Sequence, residues 1–219
     1  NITDTTPREM TMFNFDIITM AATLPAIIIS MAVHEYAHAQ VADWLGDDTP
    51  RRMGRLTLNP FSHIDIIGMI MLFLVQFGWA KPVMVNPANF KDKKTDDMLV
   101  SIAGPLANLI VAFITLAVLT VMRTHHIAIS DGLYRVLLYT IILNINFAIF
   151  NLLPIPPLDG SRLIMALMSP AWQMRFLQWE RFSFLILIIF AYSPLLGHVL
   201  IPLQHSILTL FTFLLSPLT

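Results

Sequence analysis

The chain has 219 residues, of which 56% are hydrophobic and only 12% are charged, and its formal net charge is −1. A soluble domain carries about twice that share of charged residues, so the composition excludes an ordinary soluble protein and favours a polytopic membrane protein. The near-neutral charge argues against nucleic acid as a partner. The sequence has no cysteine, so a bound metal would need histidine and carboxylate ligands.

A long apolar helix is predicted near the N-terminus. It runs from about Phe13 to Trp44 and contains Ile17–Val33, a run whose only polar members are threonine and serine. The alternative interpretation of this run is a cleaved signal peptide. We favour a helix, because the region before the run holds one basic residue and charged side chains crowd the supposed cleavage site. Gly46 is expected to end the helix.

The motif His34-Glu35-Tyr36-Ala37-His38 lies directly after that run and has the pattern H-E-x-x-H. On a helix, residues four apart share one face, about 5–6 Å apart at Cβ. The two imidazoles can therefore bind one tetrahedral zinc ion, with Glu35 beside them as general base. The alternative is a pair of histidines buried by ordinary hydrogen bonds. It is weak, because ionisable groups at membrane depth are costly and usually functional.

The segments that follow the first helix are short. Thr49–His63 carries three arginines, which indicates a cytoplasmic loop, and within it Arg55–Leu58 alternates and weakly suggests a strand. Ile64–Trp79 is apolar but short for a span. It predicts either a tilted span or a hairpin that enters and leaves on one face. Lys81–Phe90 alternates among prolines and predicts an edge strand or an extended segment at the membrane surface.

The second half of the chain is mostly helical in prediction. Two clear spans are Met98–Met122 and Leu133–Leu153. Three prolines between residues 154 and 157 forbid a continuous helix after the second span, and Ser161–Met168 is predicted to be a short helical piece. The last predicted spans are Phe182–Tyr192, extended in one alternative back to Trp172, and Val199–Leu215.

The predicted fold is an all-α polytopic membrane protein that forms one domain over residues 1–219, with a core at 13–168 and C-terminal helices at 172–218. It has five to six transmembrane or membrane-inserted helices and a short β or extended segment at the cytoplasmic face. Lys and Arg prefer cytoplasmic loops. With the first helix ending in the cytoplasm, all but Arg8, Arg123 and Arg135 of the 13 basic residues lie on that side. This orientation places the metal in the cytoplasmic half of the membrane.

A catalytic zinc site needs three protein ligands and one open position. The chain has only three glutamates, Glu9, Glu35 and Glu180, so the third ligand is Glu180, an aspartate or another histidine. Asp159 is the preferred candidate, because broken backbone on the same predicted membrane face as His38 can direct its side chain inward. The alternative role of Asp159 is to cap the next helix. Glu180 is expected to pair with a nearby arginine.

The chemistry that this set predicts is metal-assisted hydrolysis of a peptide bond. Zinc lowers the pKa of its bound water toward ~7 and polarises the scissile carbonyl, while Glu35 takes the water's proton and passes it to the leaving amine. Asn151 and Asn108 are membrane-embedded amides and are candidates to donate to the oxyanion. Interhelical hydrogen bonding is the alternative for both. The other histidines are expected at interfaces or in the core: His63, His125, His126, His198 and His205.

The two motifs together resemble a known family. H-E-Y-A-H, followed later in the chain by N-L-L-P-I-P-P-L-D-G at 151–160, is similar to the signature of the site-2 protease family of intramembrane zinc metalloproteases. Four shorter segments resemble its compact prokaryotic branch, which lacks PDZ and CBS modules. They are L-N-P (58–60), G-W-A-K-P-V (78–83), N-P-A-N-F (86–90) and A-G-P-L-A-N (103–108).

The resemblance implies one zinc ion per chain, held by His34, His38 and Asp159, with Glu35 as the base and Asn151 near the scissile carbonyl. It also implies a site within a prokaryotic cytoplasmic membrane and cleavage of transmembrane helices of substrate proteins. Such a helix must unwind first, and the segment 81–90 is the candidate edge for pairing with it. Two other functions stay as alternatives: a catalytically inactive membrane-binding homologue, which would not need Glu35, and a metal transporter, for which internal symmetry is lacking.

Overall fold

The computed structural model describes residues 17–75 and 78–218, and this part of the chain is predominantly helical. In chain order the helices are α1 (Ile17–Trp44), α2 (Thr49–Arg52), α3 (Ile66–Val75), α4 (Lys93–Thr124), α5 (Asp131–Asn151), α6 (Asp159–Leu167), α7 (Pro170–Glu180), α8 (Ser183–Ala191) and α9 (Pro194–Leu215). Short 3₁₀ turns lie at Pro60–Ser62, Pro87–Asn89 and Ser216–Leu218. The described residues form no strand, so the all-α prediction is confirmed.

Helices α1, α4 and α5 pack against one another and form the centre of the molecule. Their side-chain contacts give their directions. His38 of α1 bonds to the carbonyl of Val100, whereas Asn108, further along α4, bonds to Ser30 of α1 and to Asn144 of α5. α4 therefore runs antiparallel to α1. We refer to the end of this bundle at which α1 ends and α4 begins as the site end.

The opposite half of the bundle is apolar. There α9 packs against α4 and α5, and the ring of Phe211 meets that of Phe113 edge-on, with centroids 5.1 Å apart. Between helices in a membrane, such close packing replaces the hydrophobic driving force that operates in water. The buried members of this cluster are Ala112, Leu119, Ile141, Ile145, Ile149 and Phe211.

Three helical stretches within the described residues are long and apolar enough to cross a membrane: Lys93–Thr124, Asp131–Asn151 and Pro194–Leu218. They confirm three of the four spans predicted in this part of the sequence, whereas the fourth, Phe182–Tyr192, is not among them. α4 and α5 begin earlier than predicted because Asp92 and Ser130 cap them with side-chain oxygens that accept from backbone N–H groups of the first turn.

The first helix has the predicted end. α1 contains 28 residues, which corresponds to about 42 Å at 1.5 Å per residue. It ends at Trp44, and Gly46 follows with a φ of 104°, a left-handed conformation that glycine adopts without strain. Residues 13–16, where the sequence placed the helix start, lie outside the described residues.

The apolar stretch after α2 is a hairpin and not a tilted span. α3 has only ten residues, or about 15 Å, and an antiparallel bridge pairs Ile64 with Ala80 on either side of it. The backbone N–H of Lys81 also donates to the carbonyl of His63 at 2.8 Å. Because the two ends of the stretch meet, the stretch begins and ends on the same face of the membrane, as the hairpin alternative predicted.

Two predicted strands are absent from the described residues. Arg55–Leu58 is irregular, because its polar groups find local partners instead of a neighbouring strand. The buried Arg55 guanidinium donates to the carbonyl of Ser62, and His63 bonds to the carbonyl of Thr57. The segment 81–86 is extended but joins no sheet, so the extended alternative is correct and the edge strand is wrong.

The predicted span near the C-terminus is interrupted. α7 ends at Glu180 and α8 begins at Ser183, so the alternative of one helix extended back to Trp172 is wrong. The break coincides with Glu180 and Arg181, two adjacent charged residues that are both exposed. α8 has nine residues, about 14 Å, which is too short to cross a core of roughly 30 Å.

The buried amide of Asn144 offers a test of how the central bundle is held. Its oxygen accepts from Asn108 at 2.8 Å and its nitrogen donates to the carbonyl of Thr140 at 2.8 Å. Asn144→Leu leaves an Asn108 N–H unpaired, so we expect a loss of about 1–2 kcal/mol in the free energy of unfolding. SDS-induced unfolding in mixed micelles measures it. Asn146→Leu is the matched control, because the buried Asn146 side-chain oxygen has no hydrogen-bond partner among the described residues. Equal losses in both variants would contradict the assignment.

Candidate metal centre

The last turns of α1 carry three ionisable side chains into the interior. His34, Glu35 and His38 are 3%, 8% and 8% exposed. The helical spacing of four residues places both imidazoles on one face, toward α4. Their Nε2 atoms are 3.0 Å apart. The sequence prediction that the two histidines share one face of a helix is thus confirmed.

Asp159 reaches the same point from the first turn of α6. The prolines after α5 prevent that helix from continuing, and the next helix, α6, begins at Asp159. Gly160 makes this approach feasible, since a Cβ there would lie 2.5 Å from the carbonyl oxygen of Leu153. The Asp159 Oδ2 atom is 3.1 Å from Nε2 of His34 and 3.2 Å from Nε2 of His38.

The hydrogen bonds behind the rings determine what the imidazoles present to Asp159. The Nδ1–H of His34 donates to Oδ1 of Asn108 at 2.7 Å, and the Nδ1–H of His38 donates to the carbonyl of Val100 at 2.7 Å. With the proton on Nδ1, each neutral ring presents a lone pair at Nε2. Two lone pairs and a carboxylate oxygen therefore converge, a repulsive arrangement that a cation would relieve.

The convergence fits a zinc ion. Among the described residues, His34, His38 and Asp159 form the group of histidine and acidic side chains that could hold a metal. Nitrogen and oxygen ligands of tetrahedral zinc, at about 2.0–2.1 Å from the metal, lie roughly 3.3 Å from one another. Here the distances between the two Nε2 atoms and Asp159 Oδ2 are 3.0, 3.1 and 3.2 Å. Within the described part of the chain, the buried Asp159 Oδ2 atom also has no hydrogen-bond partner.

A glycine in α4 leaves the space that the imidazoles occupy. A Cβ at Gly104 would lie 2.6 Å from Cε1 of His34 and 2.7 Å from Cε1 of His38, both far inside van der Waals contact. Glycine in a helix costs about 1 kcal/mol relative to alanine, so a packing reason for it is expected. The close approach of α4 to the two rings is that reason.

Glu35 lies in the same pocket and is held by the backbone. The N–H of Val83, in the extended segment after α3, donates to Glu35 Oε2 at 2.8 Å. The pocket has a volume of about 150 Å³. Its lining consists of the three candidate ligands, Glu35, and residues from the extended segment, α4, α5 and α6: His34, Glu35, His38, Pro82, Val83, Val85, Val100, Ser101, Asn151, Pro157, Asp159 and Arg162.

The two asparagines that were candidates for the oxyanion have different surroundings. Asn151 lines the pocket, and its amide donates to the carbonyl of Phe147 at 2.9 Å. Asn108 is fully buried behind His34, and its amide hydrogens go to Ser30 and Asn144. The contacts of Asn108 do not favour an oxyanion donor. They match the alternative given for it, an interhelical hydrogen bond, and add a bond to His34.

The remaining candidates lie elsewhere. Glu180 is exposed and lines a neighbouring cavity of about 240 Å³ between α6 and α7. His63 is fully buried beside Thr57 and is not part of the pocket lining. Two contributors were missed by the sequence analysis, namely the Val83 backbone and Arg162. Arg162 bonds to Asp97 at 3.0 Å, and its place after the D-G pair of the second motif was the available signal.

Comparison with known proteins is consistent with this site. A family model described as peptidase family M50 matches residues 121–193. The chain is 42% identical over 200 residues to YwhC of Bacillus subtilis, in an alignment that covers 88% of this chain and 91% of YwhC. It is 30% identical over 174 residues to Rip2 of Mycobacterium tuberculosis, covering 78% of this chain and 66% of Rip2. Both relatives carry the name "putative zinc metalloprotease". No solved structure gives a significant match.

Fold and site together define the class of helical metalloproteases that are integral to a membrane. Within that class, the identity to YwhC over nearly the whole of both sequences assigns the family: the chain belongs to peptidase family M50, the site-2 proteases. The protein is a zinc metalloprotease, and the resemblance noted from its motifs is confirmed.

Gly104→Ala tests the packing at the metal centre. If local helix propensity decided the outcome, alanine would stabilise α4. We expect instead that the new methyl group displaces the imidazoles and lowers the zinc content of the purified protein to less than half. Inductively coupled plasma mass spectrometry after dialysis measures it. Gly132→Ala is the matched control, because a Cβ at Gly132 has nothing within 4 Å. Full zinc occupancy in Gly104→Ala would show that the rings tolerate the methyl group.

Proposed function

We propose that this protein is an intramembrane endopeptidase, which hydrolyses peptide bonds in the transmembrane helices of other membrane proteins. In this proposal His34, His38 and Asp159 hold the zinc and Glu35 is the general base. The observation that carries it is the meeting of three metal-binding atoms within 3.2 Å, beside a buried carboxylate, at the end of an apolar helix.

Zinc at this place supplies Lewis-acid chemistry, which activates water and polarises the scissile carbonyl. The chain's own groups do the rest. Val83 N–H occupies Oε2 of Glu35, so Oε1 is the oxygen that accepts the proton of the attacking water and passes it to the nitrogen of the leaving amine. Asn108 and the carbonyl of Val100 hold the imidazoles through their Nδ1–H groups.

Asn151 is proposed to stabilise the scissile carbonyl as negative charge develops on it. Its side chain lines the pocket and uses one amide hydrogen on Phe147, which leaves the second hydrogen for the substrate. Asn108 is assigned a different role from the one first considered. It is proposed as a positioning residue, which fixes the tautomer and the orientation of His34.

The substrate is proposed to bind as an unwound, extended strand, because a helix hides its peptide bonds from the pocket. The extended segment after α3 supplies an edge for it. Val83 N–H points toward Glu35, and the backbone N–H and C=O of Met84, which alternate with it, make no hydrogen bond within the described residues. Met84 as a whole residue is 55% exposed, so this part of the segment is accessible.

The proposed setting is a prokaryotic cytoplasmic membrane, with the site end toward the cytoplasm. The excess of Lys and Arg at the site end supports this orientation. We further propose that residues 1–219 form one protease domain, with a core at 13–168 and C-terminal helices at 172–218. A transporter would need a relay of metal sites, whereas His34, His38 and Asp159 form a single group among the described residues.

Substitutions at Glu35 and Asp159 separate catalysis from metal binding. Glu35→Gln is expected to keep the zinc content of the wild type and to lower the rate of cleavage by at least 10³-fold, because the base that takes the water's proton is lost. Asp159→Ala is expected to lose both zinc and cleavage, because two imidazoles remain as the only ligands.

The measurement uses a panel of fluorescently tagged single-span proteins, incubated with each purified variant in detergent, together with metal analysis. Glu180→Gln is the control, since Glu180 lies outside the metal centre. Undiminished cleavage by Glu35→Gln would rule out the proposed mechanism. Loss of zinc in the same variant would instead make Glu35 a ligand.

Met84→Pro tests the edge that is proposed to bind substrate. Proline removes one backbone donor from the exposed edge but leaves Val83 N–H on Glu35. We expect KM for the cleaved single-span protein to rise by roughly tenfold, the equivalent of about one hydrogen bond. Met84→Ala, which keeps the N–H, is the control and should retain the KM of the wild type. Equal KM values in both variants would exclude pairing at this residue.

A further inference from the structure

A second buried carboxylate lies near the site end, outside the metal centre. Asp47 follows α1 directly and is fully buried, and no cation within the described residues forms a salt bridge with it. A buried carboxylate is costly unless its oxygens are hydrogen-bonded. Four donors satisfy it here, and two of them come from a distant part of the chain.

The local donors are the N–H and hydroxyl of Thr49, which both reach Asp47 Oδ1. The distant donors belong to the segment after α3. The backbone N–H of Asn86 donates to Asp47 Oδ2 at 2.7 Å, and the side-chain amide of Asn89 donates to Oδ1 at 2.7 Å. Asp47 thus connects the exit of α1 to the segment 81–90.

The ionisation of Asp47 is consistent with such a contact. Burial by itself raises the pKa of this carboxyl, but the hydrogen bonds from Thr49, Asn86 and Asn89 outweigh it and lower the pKa below its usual value. Asp47 is therefore charged at neutral pH. Hydrogen bonds to a charged acceptor are stronger than those between neutral groups.

The same segment forms one wall of the metal pocket. Pro82, Val83 and Val85 line it, and Val83 N–H holds Glu35. At its other end the segment is held by the bond from Lys81 N–H to the carbonyl of His63. Between Lys81 and Asn86, the bond to Glu35 is the one backbone hydrogen bond within the described residues. Val85 also packs against the apolar cluster of Ala42, Phe90 and Val100, so the wall is held by this packing and by the polar contacts at its two ends.

We infer that Asp47 is a positioning residue for the protease reaction, which holds the segment 81–90 against α1 so that Val83 N–H stays on Glu35 and the pocket keeps its wall. This inference rests on the proposed role of Glu35 as the base. Asp47 itself does not touch the pocket and acts only through Asn86, Asn89 and the segment between them and Val83.

A spin label can report the position of the segment independently of activity. The chain has no cysteine, so Met84→Cys gives a single labelling site on an exposed side chain of the segment. Label mobility is compared between Asp47→Asn and Asp48→Asn in this background, and cleavage is measured in the same two variants with Met84 intact. Asp48 is the matched control, because it is the adjacent carboxylate, is half-exposed, and pairs with Arg52 at the surface.

In Asp47→Asn we expect the electron paramagnetic resonance spectrum of the label to show greater mobility. Asparagine at position 47 has an N–H group where the carboxylate has an oxygen, so this N–H faces a donor that the carboxylate would accept from. For the single-span protein that the wild type cleaves, kcat/KM should fall by roughly ten- to hundredfold, with KM raised and zinc content unchanged. Partial unfolding would lower the apparent kcat alone. Asp48→Asn should match the labelled parent in mobility and the wild type in kcat/KM, KM and zinc content.

Asn89→Ala covers the case in which Asp47→Asn does not fold. It removes one donor at an exposed position, leaves the exit of α1 intact, and should give the same changes at a smaller size, about threefold in kcat/KM. Unchanged label mobility in the folded variants would overturn the inference, as would greater mobility with unchanged kcat/KM. Failure of the proposed function is distinct: it would appear as cleavage that survives Glu35→Gln, whatever the label shows.

Discussion

The burial of ionisable groups in an apolar helix bundle is the constraint on which the site end depends. His34, His38, Glu35 and Asp159 come together where they are largely removed from solvent, and each must find a partner in the protein or in a metal. The protein partners are complete for both Nδ1 atoms and for one oxygen of Glu35. The lone pairs of the two Nε2 atoms and of Asp159 Oδ2 face a single point, where zinc completes the arrangement.

Helix packing makes that arrangement possible. α4 has to come close enough to α1 for Val100 and Asn108 to reach the two imidazoles, and Gly104 removes the side chain that would prevent it. Gly160 does the same where α6 approaches the end of α5. In membranes, small residues commonly permit such close contacts between helices. Here they serve the geometry of the site, since the rings occupy the space that a methyl group would take.

The backbone after α3 gives the pocket a wall that no helix provides. The hairpin returns the chain to the site end, where an extended segment meets Glu35 through Val83. The interior of a helix could not offer this donor, because its N–H groups are already used within the helix. The same property leaves the backbone N–H and C=O of Met84 without a hydrogen bond to any residue that the structure describes. A single segment thus orients the carboxylate and presents the edge that is proposed to bind an unwound substrate.

Local pattern in the sequence was sufficient for several elements. The H-E-x-x-H spacing predicts which face of α1 carries the histidines, since helical periodicity depends on neighbours four residues apart. The lengths of the apolar runs predict α4, α5 and α9, and the prolines after Asn151 predict the break before Asp159. The start of α8 also agrees with the preferred prediction, but its interpretation as a span was wrong, because nine helical residues are too short to cross a membrane.

By itself, then, the sequence determined the all-α membrane architecture, the two motifs and the zinc chemistry, all of which follow from residue types and short spacings. Tertiary structure alone decided that the Oδ1 atom of Asn108 accepts from His34 and that the backbone N–H of Val83 donates to Glu35. It also decided that Asp47 accepts from Asn86 and Asn89. These contacts join residues far apart in the chain. Their formation depends on how the helices pack, which no local pattern encodes.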